Sequence, residues 1–194
     1  MPAALPAPLA RPLARWPVRA LARSLVVVGL VGLIGSVDGC LDTGSRGEAS
    51  VGPDGSTPAG VVLDGTGTVV SITDGDTLRL EVDRQELRVR LIGVDTPEVF
   101  PDVECYGPEA AAALEALAPI GSTLGYTYDR DERDQYDREL LYLFAEDGTL
   151  INYELVAQGY GRAVLFEPND RYWNDLRAAE RDAQRAGLGL WGEC

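Results

Sequence analysis

From residue 66 to residue 145 the chain repeatedly alternates apolar and polar positions with a period of two, the mark of strands with one buried face. Thr66–Thr73 (TGTVVSIT) reads as a first strand, Asp74-Gly75-Asp76 as a tight turn, and Thr77–Val82 (TLRLEV) as a second strand. Glu86–Val94 gives a third, Ser122–Asp129 (STLGYTYD) a fourth, and Arg138–Ala145 (RELLYLFA) a fifth. Between the third and fourth, Pro108 followed by EAAAALEALA predicts a helix with proline in its first turn. Leu150–Gln158 predicts a second helix, stopped by Gly159. Asn169–Ala186 predicts a third, with Trp173, Leu176, Ala179 and Ala183 on one face and Gly187 at its end. Three strands, a helix, two strands and two helices is an α+β order. Five short antiparallel strands of this kind suit a small closed Greek-key barrel of the OB-fold type.

The N-terminal part has a different pattern. Arginines at 11, 15, 19 and 23 precede an apolar run, Leu25–Ile34 (LVVVGLVGLI), which ends in GSVDGC. That is the order of a secretory signal peptide. The run falls well short of the ~20 residues of a transmembrane helix. A buried helix is the alternative, but prolines upstream and glycines downstream do not suit it. Val37-Asp38-Gly39-Cys40 resembles a bacterial lipobox, with Asp38 where a small neutral residue is usual, so Cys40 is the candidate lipidation site and the candidate membrane anchor. The chain has three cysteines. If Cys40 carries lipid, Cys105 and Cys194 remain as a pair, and a disulfide between them would persist in an oxidising compartment. Residues 41–61, rich in Gly, Ser, Thr, Asp and Pro, read as a flexible tether. The expected organisation is a signal segment at 1–39, a linker at 40–62 and one folded domain at 63–194. Its destination is the cell envelope or the extracellular space.

Charge narrows the chemistry. All 17 basic residues are arginine, and the sequence has no histidine. Removing residues 1–39 takes four of the 17 basic and one of the 31 acidic residues, leaving 13 against 30, a net of −17. Such a surface does not hold nucleic acid by bulk electrostatics. Without histidine or lysine there is no imidazole base, no Schiff base and no P-loop. Catalysis must come from carboxylates, guanidiniums, hydroxyls or an oxygen-held metal.

One stretch has the residues for it. Arg88–Glu98 (RVRLIGVDTPE) begins as a strand and ends in Asp-Thr-Pro-Glu, two carboxylates around a proline. Residues five apart on a strand face opposite ways, so Arg90 and Asp95 meet only across a kink between Ile92 and Pro97, which Gly93 permits. Taken singly, each residue has a plain reading. Asp-Gly-Asp is a hairpin turn, Arg90 a solvated strand residue, and Thr96-Pro97 a helix start. Arg138 with Asp134 would be a surface salt bridge worth under ~1 kcal/mol. Tyr126, Tyr128, Tyr142, Trp173 and Trp191 are assigned to packing.

Together the motifs point further. DGDT (74–77), RLIGVDTPE (90–98), YGPEA (106–110), DQYDR (134–138), NYELVAQGYGRA and the closing GLGLW occur in the order of the staphylococcal nuclease (thermonuclease-like) family, which the chain resembles over residues 66–192. The resemblance implies an OB-fold and Ca²⁺-dependent cleavage of single- and double-stranded DNA and of RNA, with little sequence preference, leaving 3′-phosphate ends. It implies that Asp76 and Asp95 hold Ca²⁺ with the Thr96 carbonyl. It further implies that Glu98 orients or deprotonates water, that Arg90 and Arg138 grip the scissile phosphate, and that Tyr136 contacts nucleotide phosphate. The chemistry agrees. Forked guanidiniums bind a phosphodiester more strongly as its oxygens gain charge, and a hard cation takes oxygen ligands. The protein is expected to act as a monomer.

There are departures. Asp137 replaces a usual glycine, Gln135 stands where some relatives are basic, and Val164 and Phe166 stand where tyrosines contact nucleotide. Together with the charge, these predict poor affinity without a divalent metal. Two other readings remain: a catalytically silent OB module that binds nucleic acid or protein, and a structural or adhesive lipoprotein. Neither needs two arginines and three carboxylates.

Overall fold

The computed structural model describes Val51, Gly52, Gly55 and residues 61–194. The expected signal segment, Cys40 and most of the expected linker lie outside the described residues. Within that linker, Val51 is buried and its N–H donates to Asp175 Oδ2 at 3.0 Å, while Gly55 O accepts the Leu150 N–H at 3.0 Å.

The strands are β1 (Gly65–Ile72), β2 (Thr77–Val82), β3 (Gln85–Leu91), β4 (Val94–Asp95), β5 (Thr123–Thr127), β6 (Glu139–Phe144) and β7 (Arg162–Ala163). The helices are α1 (Gly107–Leu117), α2 (Ile151–Ala157), α3 (Trp173–Ala186) and the single turn α4 (Leu190–Glu193). Five strands close a barrel in the order β1-β2-β3-β6-β5, and β4 pairs with β7 in a separate two-stranded ladder. The α+β, OB-type architecture is as expected. The direction of one pairing is not: β3 and β6 run parallel, Arg90 opposite Leu140, whereas the other pairs in the barrel are antiparallel. The helix α1 and strand β5 lie between β3 and β6 in sequence, so the chain crosses over and re-enters in the same direction. The expected third strand also stops early, at Leu91, for a reason given below.

The barrel interior is apolar, with Val69, Leu78, Leu80, Val89, Leu91 and Leu141 among its buried residues. Every residue of β6 is buried, and α2 packs on this strand, so its sequence reads as a run and not as an alternation. Helix α3 buries Leu176, Ala179 and Ala183 and begins at Trp173, four residues later than expected. The segment before it is used otherwise. Asn169 Oδ1 accepts the N–H groups of Arg130 and Asp131 at 2.9 and 2.8 Å, and its Nδ2 donates to Asp131 O at 2.9 Å. An asparagine whose side chain ties a neighbouring loop prefers this local bonding to a helical position.

Candidate active site

The turn between β1 and β2 presents Asp76. Asp74 Oδ1 accepts the Asp76 N–H at 3.2 Å and fixes the turn. A side chain at Gly75 would come within 2.7 Å of Ala110 Cβ and 2.9 Å of the Thr96 side chain, so glycine lets the turn lie against both. Asp76 is only 4% exposed. Its Oδ1 accepts the Thr77 hydroxyl at 3.0 Å, and its Oδ2 accepts the Thr96 N–H at 2.8 Å and the Thr96 hydroxyl at 3.2 Å. The same Oδ2 pairs with Arg90 Nη2 at 3.1 Å.

Arg90 meets Asp95 because the chain turns between them. Gly93 has φ +79°, a left-handed conformation, and a Cβ there would lie 2.3 Å from Leu176 Cδ1. The strand ends before it, and the next residues, β4, pair with β7. The 7%-exposed Arg90 guanidinium spans this turn. Its Nη1 donates to Leu91 O at 3.0 Å and Val94 O at 2.5 Å, and its Nη2 to Asp95 Oδ1 at 3.0 Å. One nitrogen thus carries both aspartates, holding Asp76 Oδ2 and Asp95 Oδ1 within roughly 6 Å of each other. The Phe166 ring lies 5.2 Å from the guanidinium carbon. Phe166, expected to mark a weaker base contact, is therefore occupied in stacking on Arg90.

Glu98 follows on an exposed segment, near enough to feel these charges. Burial pushes its carboxyl above the usual range, the negative charges of Asp76 and Asp95 push it further, and Arg90 opposes them. Burial likewise raises Asp76, against Arg90 and the Thr96 N–H, and raises Asp95, against Arg90. Two carboxylates thus share one buried cation, whose charge also reaches Glu98 and compensates none of the three. Among the described residues no group of three or more His, Cys, Asp or Glu side chains is arranged to hold a metal. The available donors are two carboxylates and backbone oxygen.

Arg138 and Tyr136 stand apart from this group. Arg138 lies at the start of β6, next to β3, and its Nε donates to Asp134 Oδ2 at 2.7 Å. No carboxylate of the Asp76–Asp95–Glu98 set lies within ion-pairing distance of it. Burial would raise Asp134, but hydrogen bonds from the Arg138 backbone and side chain and from the Tyr136 N–H hold it below the usual range. The Tyr136 ring lies 5.6 Å from the Arg138 guanidinium and is 63% exposed. Both Nη groups of Arg138 are without a hydrogen-bond partner among the described residues and are available to an anion. Asp137 adopts φ +59° and ion-pairs with Arg133 at 3.1 Å, so it supplies the glycine-like turn and directs its charge away from Arg138.

Two contributors were not singled out in the sequence. Asn152, fully buried in α2, accepts the Leu143 N–H at 2.9 Å and donates to Ile92 O at 2.9 Å and Leu141 O at 3.2 Å, which fixes the chain where β3 exits. An amide within the apolar run LINYELVA was its signal. Glu104 accepts the Glu98 N–H at 3.1 Å. Beside it a disulfide joins Cys105 to Cys194, their Cα atoms 6.0 Å apart. A pocket of about 440 Å³ opens here, lined in part by Asp95, Thr96, Glu104 and Arg162.

Comparison with known proteins bears on this arrangement. The profile described as "Staphylococcal nuclease homologue" matches residues 88–193. A thermonuclease of Staphylococcus intermedius is 38% identical over 126 residues, 63% of this chain and 74% of its own. A thermonuclease of Staphylococcus hyicus is 32% identical over 126 residues, 63% of this chain and 73% of its own. Endonuclease YncB of Bacillus subtilis (strain 168) is 33% identical over 125 residues, 62% of this chain and 58% of its own. The matched region contains the whole turn from Arg90 to Glu98 as well as Arg138, and on this evidence the chain belongs to the staphylococcal nuclease homologue family.

Proposed function

We propose that this nuclease is Ca²⁺-dependent, exported and held to a membrane by lipid on Cys40, and that it hydrolyses single- and double-stranded DNA and RNA with low sequence specificity. Phosphodiester-cleaving activity itself rests on the family membership. The observation that carries the finer reading is the sharing of Arg90 Nη2 by Asp76 and Asp95, with Glu98 beside them.

The donor set suits a hard cation. Asp76 and Asp95 bring carboxylate oxygens to the same Arg90 nitrogen, and both are raised by burial that Arg90 does not offset, a condition added positive charge would relieve. These two and the Thr96 carbonyl would hold the ion, which when bound supplies charge to the phosphoryl oxygens and holds water. Arg90 has both Nη1 donors committed to the Leu91 and Val94 carbonyls and Nη2 committed to Asp76 and Asp95, so its guanidinium is fixed and Nε is the donor left to meet the phosphate. Arg138, tethered by Nε to Asp134, offers its two Nη groups to the same phosphate, and Tyr136 flanks it. Glu98 takes a proton from the attacking water at its carboxylate, a role worth ~10²–10⁴-fold in such reactions.

Export is supported by the basic-then-apolar N-terminal pattern and by the Cys105–Cys194 disulfide, which persists in oxidising compartments. Residues 1–39 are the signal, 40–62 the linker and 63–194 the catalytic domain, acting as a monomer. Digestion of single-stranded DNA with Ca²⁺ and with chelator tests the reading. Cleavage should need Ca²⁺ and be lost in Glu98→Gln and Arg138→Ala proteins that remain folded. Full activity in both variants, or in chelator, would overturn it. Mass spectrometry of the membrane fraction tests Cys40.

A further inference from the structure

Glu98 sits on a segment with little packing to hold it. Between Thr96 and Tyr106 the chain leaves Phe100 79% and Val103 68% exposed, so the segment buries few of its own apolar groups. What closes it is polar and reciprocal. The Glu98 N–H donates to Glu104 Oε2 at 3.1 Å, and the Glu104 N–H donates to Glu98 O at 2.9 Å. Glu104 O then accepts the Gly107 N–H at 3.1 Å, at the start of α1. Gly107 allows this approach, because a Cβ there would lie 2.4 Å from Glu98 O.

The next residue, Cys105, is cross-linked to Cys194, 89 positions away. Cys194 in turn belongs to an ordered turn: its N–H donates to Leu190 O at 3.2 Å, and the buried Leu190 donates to Gly159 O at 2.9 Å. The path from Glu98 to the domain interior thus runs through Glu104, across the disulfide, and through α4 to the end of α2. Both cysteines are exposed, and both line the pocket beside Asp95 and Thr96, which gives a small thiol access to the bond and the segment space to move once it opens.

We propose that Glu104 and the Cys105–Cys194 disulfide are positioning elements for Glu98, and that a dithiol reductant lowers turnover by releasing them. The inference rests on the nuclease reading for its catalytic consequence. The step balances. A thiolate of the reductant attacks one sulfur, the sulfur–sulfur bond breaks, and the second reductant thiol resolves the mixed disulfide. The reductant leaves as a cyclic disulfide, and two electrons and two protons remain on Cys105 and Cys194 as thiols. Arg90, Arg138, Asp76 and Asp95 are positioned by other elements, so substrate and metal affinity do not depend on this clamp. Turnover does, because a base displaced by about 1 Å can cost about 100-fold.

The test compares oxidised and dithiol-reduced wild type with a Cys105→Ser/Cys194→Ser double variant and with Glu104→Ala. Reduction is expected to lower kcat by tenfold to a hundredfold with KM changed less than twofold. The double variant should show the reduced value and ignore the reductant. Glu104→Ala, which keeps the disulfide, should lose kcat in the same way, and Glu104→Gln, which keeps an acceptor oxygen, should recover most of it. Hydrogen exchange supplies a readout independent of cleavage: the Glu98 and Glu104 amides should exchange at least tenfold faster after reduction, with β1–β3 unchanged. Unchanged exchange at those two amides overturns the clamp whether or not the protein cuts DNA. An equal kcat in the oxidised and reduced forms overturns it as well. Absence of Ca²⁺-dependent cleavage in the oxidised wild type is a failure of the nuclease reading alone.

Discussion

Replacing Asn152 by alanine tests how the β3 exit is held in register with α2. The side chain makes three hydrogen bonds in a fully buried setting, to Leu143 N–H, Ile92 O and Leu141 O. Leu141 O keeps a partner in the Ile92 N–H at 3.0 Å, so its loss is small. Leu143 N–H and Ile92 O lose theirs. Stranding a buried donor or acceptor costs about 1–3 kcal/mol, and the truncation leaves a small cavity besides, so the total is about 3–4 kcal/mol. In urea, with a slope near 2 kcal/mol/M, the unfolding midpoint should fall by roughly 1.5–2 M. Asn152→Asp should be no better than alanine, since it turns a carboxylate on two carbonyl oxygens. Folded Asn152→Ala, assayed well below its unfolding temperature, should also cleave more slowly, because Ile92 leads into the turn on which Arg90 and Asp95 meet. A cost under about 1 kcal/mol, or an aspartate variant as stable as wild type, would refute this account of the turn.

Other expectations follow from the same geometry. Gly93→Ala must place a Cβ against Leu176 at a φ of +79°, and should cost about 1–2 kcal/mol from the left-handed backbone alone, read in urea, with a larger loss of kcat than Asn152→Ala. Ca²⁺ affinity should begin to fall, on acidification, above the ordinary carboxylate range, because Asp76 and Asp95 are raised in the metal-free site and must lose their protons to take the ion; an affinity that holds until the ordinary value of 3.8, read by Ca²⁺ titration at a series of pH values, would contradict this. The sign for stability is opposite. The metal-free fold binds those protons more tightly than the unfolded chain does, so acidification through the raised values toward 3.8 should strengthen that contribution, as measured by urea unfolding with chelator. Asp134→Asn frees Arg138 Nε from its carboxylate partner and should raise KM severalfold, and it should also lower stability, because the same carboxylate accepts the Tyr136 and Arg138 N–H groups.

Much of this was legible in the sequence, for identifiable reasons. Strands β1, β2 and β5 show one face to the core and follow the period-two rule, so the pattern found them. The kink before Pro97 could be anticipated because Arg90 and Asp95 cannot meet on a regular strand. What stayed hidden depends on contacts distant in sequence. The parallel β3–β6 pairing, the short β4–β7 ladder and the late start of α3 are set by neighbours 38 or more residues away, with no local signature. Phe166 stands out in the sequence only as a departure from a nucleotide-contacting tyrosine, and nothing local announces that its ring lies on Arg90. Glu104 gave no signal beyond its place beside a cysteine, since a glutamate in a loop is ordinarily a solvated charge.

The most direct measurement is the shift in thermal unfolding midpoint caused by Ca²⁺, in wild type and in Asp76→Asn and Asp95→Asn proteins. A ligand held only by the folded state raises that midpoint in proportion to its binding. Asp76 and Asp95 as joint holders of the ion require a clear rise in wild type, abolished by chelator and largely lost in each variant. A rise of equal size in all three proteins, or none in wild type at millimolar Ca²⁺, would contradict the centre described here.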